Sequence, residues 1–367
     1  MIRAYKFRLY PSKTQDTLMR KHLWISKNLW NEMLEHTKQM YRDYGLFPTK
    51  KALREFVKRV GLYSQTGQEL VDRLLDAVWK TKMRLKKEGK TGGFPRFKSF
   101  SRMKSLNYPQ SGFNLKERLE VTPFGKISIK QHRKIKGTIK TLTLKRESTG
   151  KWFAIFTSEE EPPTPQKNSG GEVGLDAGLK SLAVLSDGTT IKNPRHLRKH
   201  EKKLAFLQRN LSRCEKRSNR WHKAKQKVAL LHEKVKNTRR DYLHKLSKQL
   251  VSQYSLIALE DLSVQGLAQK DYGKSIHDAG WSMFMGMMGY KAEEAGCQIV
   301  SVDPKYTTQE CSRCGTRTKK ELQDRQHKCP SCGYSTDRDL NAAEVILKRA
   351  TAGLAGCNAH GLAATVA

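Results

Sequence analysis

Acidic side chains are scarce in this chain. Its 367 residues hold 35 Asp and Glu against 71 Lys and Arg, a formal net charge of +36. Self-repulsion on that scale opposes a compact state unless a polyanion offsets it. An extended phosphate backbone would do so and release counterions on binding; an anionic membrane surface is the rival, and ribosome packing a third reading. Long apolar runs are also missing, so no segment is expected to span a bilayer. The opening MIRAYKFRLYPSK lacks the apolar stretch of a secretory signal. The seven cysteines do not form a secreted disulfide framework: Cys311/Cys314 and Cys329/Cys332 are two tight pairs, while Cys214, Cys297 and Cys357 stand apart. A reducing interior is the natural setting.

Glycine and proline are absent from residues 195–265, which favours helix. The apolar stripe there predicts a helical pair breaking near Ser218-Asn219 rather than one very long rod. Residues 192–250 carry 20 basic and 4 acidic side chains, an imbalance beyond an ordinary solvated face. Earlier, residues 2–10 alternate through Ile2, Ala4, Phe7 and Leu9 as a short strand. Helical spacing then runs to about Tyr44, and again from Gln68 to about Lys87. From Leu119 to Phe156 the period falls to two, with turns near Pro123-Gly125 and Gly150, as in a small barrel or sandwich. A linker, EEEPPTPQKNSGG, follows at 159–171. Beyond it lie a strand pair over 172–188, strands at 255–262 and 297–303, a methionine-rich helix between them, and a last helix from DRDLNAA. The four methionines of the helix suit core filling.

Three carboxylates sit where chemistry could use them. Asp176 and Glu260 end hydrophobic strands, and Asp339 opens a helix; taken singly, each could be a turn or capping residue. Together they suit phosphodiester hydrolysis, in which clustered carboxylates hold two Mg²⁺, or Mn²⁺, without a protein nucleophile. Asp187, Asp261, Asp303 and Asp337 are further neighbours to consider, with Asp337 a candidate cap. CSRCG and CPSCG, 14 residues apart, match two knuckles around one structural Zn²⁺ held by Cys311, Cys314, Cys329 and Cys332; a redox CxxC pair is the alternative. His327 reads as a local polar contact.

These segments in order, YKFRLYPSKTQ, GFPRFKS, VGLDAGL, ALEDL, TTQECSRCG, CPSCGY and DRDLNAA, resemble the transposon-encoded TnpB family, compact relatives of type V CRISPR nucleases. The resemblance implies a multidomain α+β and α/β protein. It has a wedge-like β-barrel (1–10 and 105–165), a helical recognition lobe (11–104), an RNase H-like RuvC domain (172–304 and 334–352, including basic helices 195–250), a zinc-binding module (305–333) and a tail (353–367). It further implies an RNA-guided DNA endonuclease of a prokaryotic cytoplasm, associated with the nucleoid and monomeric within its ribonucleoprotein. Its partners would be a transposon-encoded guide RNA and double-stranded DNA with an adjacent motif, and its catalytic acids Asp176, Glu260 and Asp339. Lys6, Arg8, Arg96, Lys98, Lys305 and Arg313 are candidate nucleic-acid contacts, with Phe94 and Phe97 interleaved, and the basic helices suit a guide–target heteroduplex. An RNA-guided repressor without cleavage and a guide-independent junction nuclease remain alternatives.

Overall fold

The computed structural model describes residues 1–89, 93–162, 164, 168–269, 273–321 and 324–359. They divide into two compact units, Met1–Pro162 and Pro163–Ala367.

In the first unit, β1 (Ile2–Tyr10) precedes three helices, α1 (Lys13–Tyr44), α2 (Lys50–Lys58) and α3 (Ser64–Lys87). Ser12 starts α1 through a reciprocal cap with Gln15, and Gly45 stops it at φ 69°, a left-handed conformation that glycine adopts without steric cost. Six strands follow: β2 (Ser105–Tyr108), β3 (Phe113–Leu115), β4 (Leu119–Val121), β5 (Gly125–Lys130), β6 (Thr138–Arg146) and β7 (Trp152–Glu159). All seven join one antiparallel sheet ordered β2-β6-β7-β1-β5-β4-β3. It curls nearly closed into a barrel: the Tyr108 hydroxyl, ending β2, donates to the carbonyl of Thr122 beyond β4 at 2.9 Å. Strands and helices share one core in which Phe7, Leu9 and Phe156 join Met19, Leu29 and Leu74. The expected inward positions of β1 hold for Phe7 and Leu9 but not for Ile2 and Ala4. Tyr5, Phe7 and Leu9 face the core, while Ile2 and Ala4 are exposed.

In the second unit, β8 (Gly171–Ala177), β9 (Ser181–Leu185) and β10 (Thr190–Lys192) form an antiparallel meander. Two helices follow, α4 (Glu201–Ser212) and α5 (Asn219–Gln253). Ser218 divides them as expected, its hydroxyl capping α5 by accepting the Trp221 N–H at 3.1 Å. No residue of α4 is buried, and α5 buries apolar side chains only from Leu231 onward. β11 (Tyr254–Glu260) returns parallel to β8, and α6 (Val264–Ala268), α7 (Gly273–Ala279) and α8 (Trp281–Ala295) lead to β12 (Gln298–Val302), parallel to β11. The sheet order is β10-β9-β8-β11-β12. Of the methionines in α8, Met287 and Met288 are core, whereas Met283 is exposed. A hairpin, β13 (Gln326–Lys328) with β14 (Ser335–Asp337), precedes α9 (Arg338–Ala359). That helix continues past Gly353, and residues 360–367 of the expected tail lie outside the described residues. No helix among the described residues is long and apolar enough to cross a membrane.

Candidate active site and metal centre

Strand register sets the first two acids side by side. β8 and β11 run parallel with Leu175 opposite Leu259, so Asp176 and Glu260 follow together at the carboxyl ends of neighbouring strands. Both are buried. The third acid is carried by α9, which crosses β8 at Gly174. A Cβ at that position would lie 2.0 Å from the carbonyl oxygen of Ala343 and 2.9 Å from the Leu347 Cβ, so only glycine allows this approach. Asp337 caps the helix, its Oδ1 accepting the N–H groups of Asp339 at 2.8 Å and Leu340 at 3.3 Å. Asp339 sits in the first helical turn, and one of its oxygens receives the Arg338 guanidinium at 2.9 and 3.1 Å.

The electrostatics separate these acids from ordinary buried carboxylates. Asp176 has no hydrogen bond or ion pair among the described residues. Burial first, and then the charges of Glu260, Asp339 and Asp337, push its pKa up to about 8, with Arg338 opposing. Burial also raises Glu260, against a hydrogen bond from Thr307 and the charge of Arg349. The buried Thr307 hydroxyl donates to Glu260 Oε1 at 2.5 Å. Among the described residues, each acid therefore keeps an oxygen free of hydrogen bonds. Asp187 belongs elsewhere: it accepts from Tyr254 Oη at 2.5 Å and the Thr189 N–H at 2.8 Å, at the end of the sheet where β8 and β11 begin. Asp303 accepts the Lys305 N–H at 3.0 Å, as a turn residue does, and Asp261 is exposed just beyond β11.

Among the described residues, the only set of three or more ligating side chains gathered tightly enough for a single ion is Cys311, Cys314, Cys329 and Cys332, whose sulfurs all lie within 4.8 Å of one another. Cys311 and Cys332 are 3.7 Å apart, and Cys314 and Cys329 are 3.4 Å apart. Tetrahedral zinc thiolates with bonds of about 2.3 Å imply separations near 3.8 Å, so this cluster can hold a metal such as zinc. Each knuckle closes by an N–H from its glycine, Gly315 to Cys311 O and Gly333 to Cys329 O, both glycines at positive φ. His327 is buried and contacts Lys320, outside the sulfur cluster.

The module is tied to the acids by residues that periodicity could not reveal. Asn341 of α9 accepts the Ser312 N–H at 3.0 Å and donates to Glu310 O at 2.7 Å. Glu344 accepts hydroxyls from Ser312 and Tyr334, and Arg349 pairs with Glu310 at 2.7 Å. Thr307 and Asn341 fall inside the segments TTQECSRCG and DRDLNAA, which was the available signal.

The candidate nucleic-acid contacts occupy varied settings. Lys6 pairs with Glu147 at 2.9 Å and lies over Phe153, while Arg8 donates to the Trp152 carbonyl. Arg96 is exposed. Lys98 is drawn inward, its ammonium 3.0 Å from the Trp30 ring centre and its backbone held by Asn31 on both sides. Burial, and then the charge of Arg73, lower its pKa to about 8. Lys305 is exposed, and Arg313 stacks 4.6 Å from the Tyr334 ring centre.

Three family profiles match the chain. Residues 155–271 match OrfB_IS605, described as "Probable transposase"; residues 281–346 match "Cas12f1-like, TNB domain"; residues 1–45 match an OrfB_IS605 "Helix-turn-helix domain". That last stretch folds as β1 and the single helix α1. An Escherichia coli (strain K12) protein named "Putative RNA-guided DNA endonuclease InsQ" is 33% identical across 96% of this chain and 94% of its own. A Streptomyces pristinaespiralis protein of similar name is 32% identical across 96% and 90%. The Sulfoacidibacillus thermotolerans "CRISPR-associated endodeoxyribonuclease Cas12f1" is 25% identical over 53% of this chain and 50% of its own. The profiles and full-length similarity define a transposon-associated protein with a Cas12f1-like segment. The chain belongs to the TnpB/OrfB_IS605 family.

Proposed function

We propose that this protein is an RNA-guided DNA endonuclease that hydrolyses phosphodiesters at Asp176, Glu260 and Asp339. The observation that carries the reading is the placement of buried Asp176 and Glu260 together at the carboxyl ends of neighbouring strands, where the Glu260 charge raises the cost of charging Asp176. Neutral packing would be more stable there, so the arrangement is best explained by a cation. The order β10-β9-β8-β11-β12, with three antiparallel strands then two parallel ones, supports an RNase H-like RuvC core. The relatives' names supply the guided-endonuclease class.

An all-carboxylate donor set whose charges are only partly offset by Arg338 and Arg349 fits Mg²⁺ or Mn²⁺. Such ions supply an activated water and neutralise the leaving oxygen when bound. The chain's own residues prepare that chemistry. Thr307 fixes one oxygen of Glu260 and leaves the other open. Arg338 holds one oxygen of Asp339 and screens it from its neighbours until substrate and ions arrive. The Cys₄ cluster fits structural Zn²⁺: four thiolates leave no open position, and through Asn341 and Thr307 the module braces two of the three acids. The exposed, strongly basic α4 and outer α5 suit the backbone of a guide RNA–DNA duplex. We place the protein at the nucleoid of a prokaryotic cell, as one chain per guide RNA beside a short target-adjacent motif.

The deciding test is cleavage of a plasmid library with a guide-matched target beside randomised flanking bases. Protein–RNA complex in Mg²⁺ is compared with RNA-free protein and an Asp176→Ala complex. Cuts that need both RNA and Asp176, with an enriched flank, are expected. Target binding without cuts would make it an RNA-guided binder; RNA-independent cuts in branched DNA would make it a junction nuclease.

A further inference from the structure

Beside the acids, the second unit contains a cleft of about 340 Å³ whose wall includes Lys180, Arg195, Arg198, Arg325 and Asp278. We propose that this cleft grips the phosphodiester backbone of the single DNA strand on its way to the carboxylates. The proposal rests on the nuclease reading for the strand's destination, although the binding site itself can be tested without any cutting.

The placement comes from three chain segments. Lys180 lies on the β8–β9 turn, four residues past Asp176, so their Cα atoms are at most about 14 Å apart. Arg325 is anchored next to the third acid, its carbonyl accepting the N–H of Arg338 at 2.8 Å. Arg195 and Arg198 come from the segment after β10. The cleft thus opens at the sheet end that carries Asp176 and Glu260, not at the Asp187 end.

The walls are built rather than incidental. Asn193 donates to Leu179 O at 3.0 Å and accepts the Arg195 N–H at 3.1 Å, fastening the β8–β9 turn to the arginine segment. Arg195 itself is held at φ 48°, a conformation L residues seldom adopt and one that concentrates at functional sites. Asp278, the one acid on the wall, is already committed. It takes Arg239 at 2.6 Å and the Leu197 N–H at 2.9 and 3.1 Å, and is buried. Lys180, Arg195, Arg198 and Arg325 are all exposed and form no ion pairs among the described residues. Four uncommitted cations around a concave wall favour a polyanion, and their spread over several positions suits a backbone of repeated phosphates rather than one small anion. Proximity to the acids favours DNA over guide RNA, which need never reach them.

The test measures binding of a fluorescent ten-nucleotide single-stranded DNA to the full chain, purified with its RNA and carrying Asp176→Ala to prevent cutting. Counterion release of about 0.7 per single-strand contact makes each contact worth roughly 5-fold at 0.1 M salt. Adding Arg195→Ala and Arg198→Ala should therefore weaken binding about 25-fold and lower the salt slope by about 1.4. Lys116→Ala with Arg118→Ala, an equal charge loss on the β3–β4 turn, should shift it by less than about 2-fold. Arg195→Lys with Arg198→Lys should restore most of the affinity and exclude misfolding as the cause. An unchanged affinity in the cleft variant, or an equal loss in the control, would overturn the proposal. So would loss of the copurified RNA from the cleft variant, which would assign the cleft to the guide. If the strand binds through the cleft yet the parent chain never cuts DNA, the cleft stands and the nuclease reading falls.

Discussion

Each unit of this molecule buries a carboxylate at the end of an interior strand, and the two are treated in opposite ways. Glu160, just after β7, receives the Tyr5 hydroxyl at 2.5 Å and Arg3 at 3.3 Å. The Asp176 carboxylate, near the end of β8, receives no hydrogen bond among the described residues and is opposed by the charges of three other acids. The first is a buried charge that the fold satisfies; the second is one whose ionisation the fold opposes. Both are carboxylates and both are buried, so neither property identifies a functional acid. What differs is whether the neighbours stabilise the charge or repel it.

That contrast is sharpest on substitution. Asp176→Asn should lower DNA cleavage by about 10³-fold or more, without loss of thermal stability, because the removed charge had no partner; a retained rate would break the distinction. Next comes Gly174→Ala. Its Cβ would meet the Ala343 carbonyl at 2.0 Å, so α9 must shift, costing about 3 kcal/mol. Thermal melting should show the loss, and cleavage should fall with it because Asp339 rides on that helix.

Thr307→Val keeps the side chain's shape and removes the donor to Glu260. Cleavage should drop roughly 10- to 100-fold with zinc content unchanged, and Thr307→Ser should recover most of it. Equal rates for the valine and serine variants would show that the hydroxyl does not position Glu260. The smallest effect is expected from Glu160→Gln, which should cost about 1–2 kcal/mol of stability and leave the cleavage rate of folded protein unaltered. A cleavage defect as large as that of Asp176→Asn would erase the difference between the two strand ends.

The sequence made some of this legible for identifiable reasons. Strand-end acids stand out because carboxylates seldom follow an apolar run, and Ser218 marked the break between α4 and α5 through its capping chemistry. The cysteine pairs carried their own spacing. Less was visible where the signal is short or depends on the fold. α2 buries only Leu53 and Val57, too few positions to establish a period, and β10, β13 and β14 have three residues each. In β1, Tyr5 is buried and Ile2 exposed, because pairing with β7 and the core beneath decide the phase, not hydrophobicity alone. Thr307 and Asn341 were marked only by the segments that contain them, and Arg195 and Arg198 only by a basic run, none of which says what each side chain touches. Their meaning arises only when separate segments fold onto one end of the sheet.

The crossing of α9 over Gly174 also has a consequence in time. Asp176 and Asp339 are separated by 163 residues, and a ribosome adding about 5–20 residues per second needs roughly 8–33 s to make that stretch. During that interval first Asp176 and then Glu260 emerge, but the helix that brings the last acid has not yet been synthesised. If these acids form the proposed site, a nascent chain is thus unarmed until α9 has been made, and that site is completed only by a segment far downstream of its first acid.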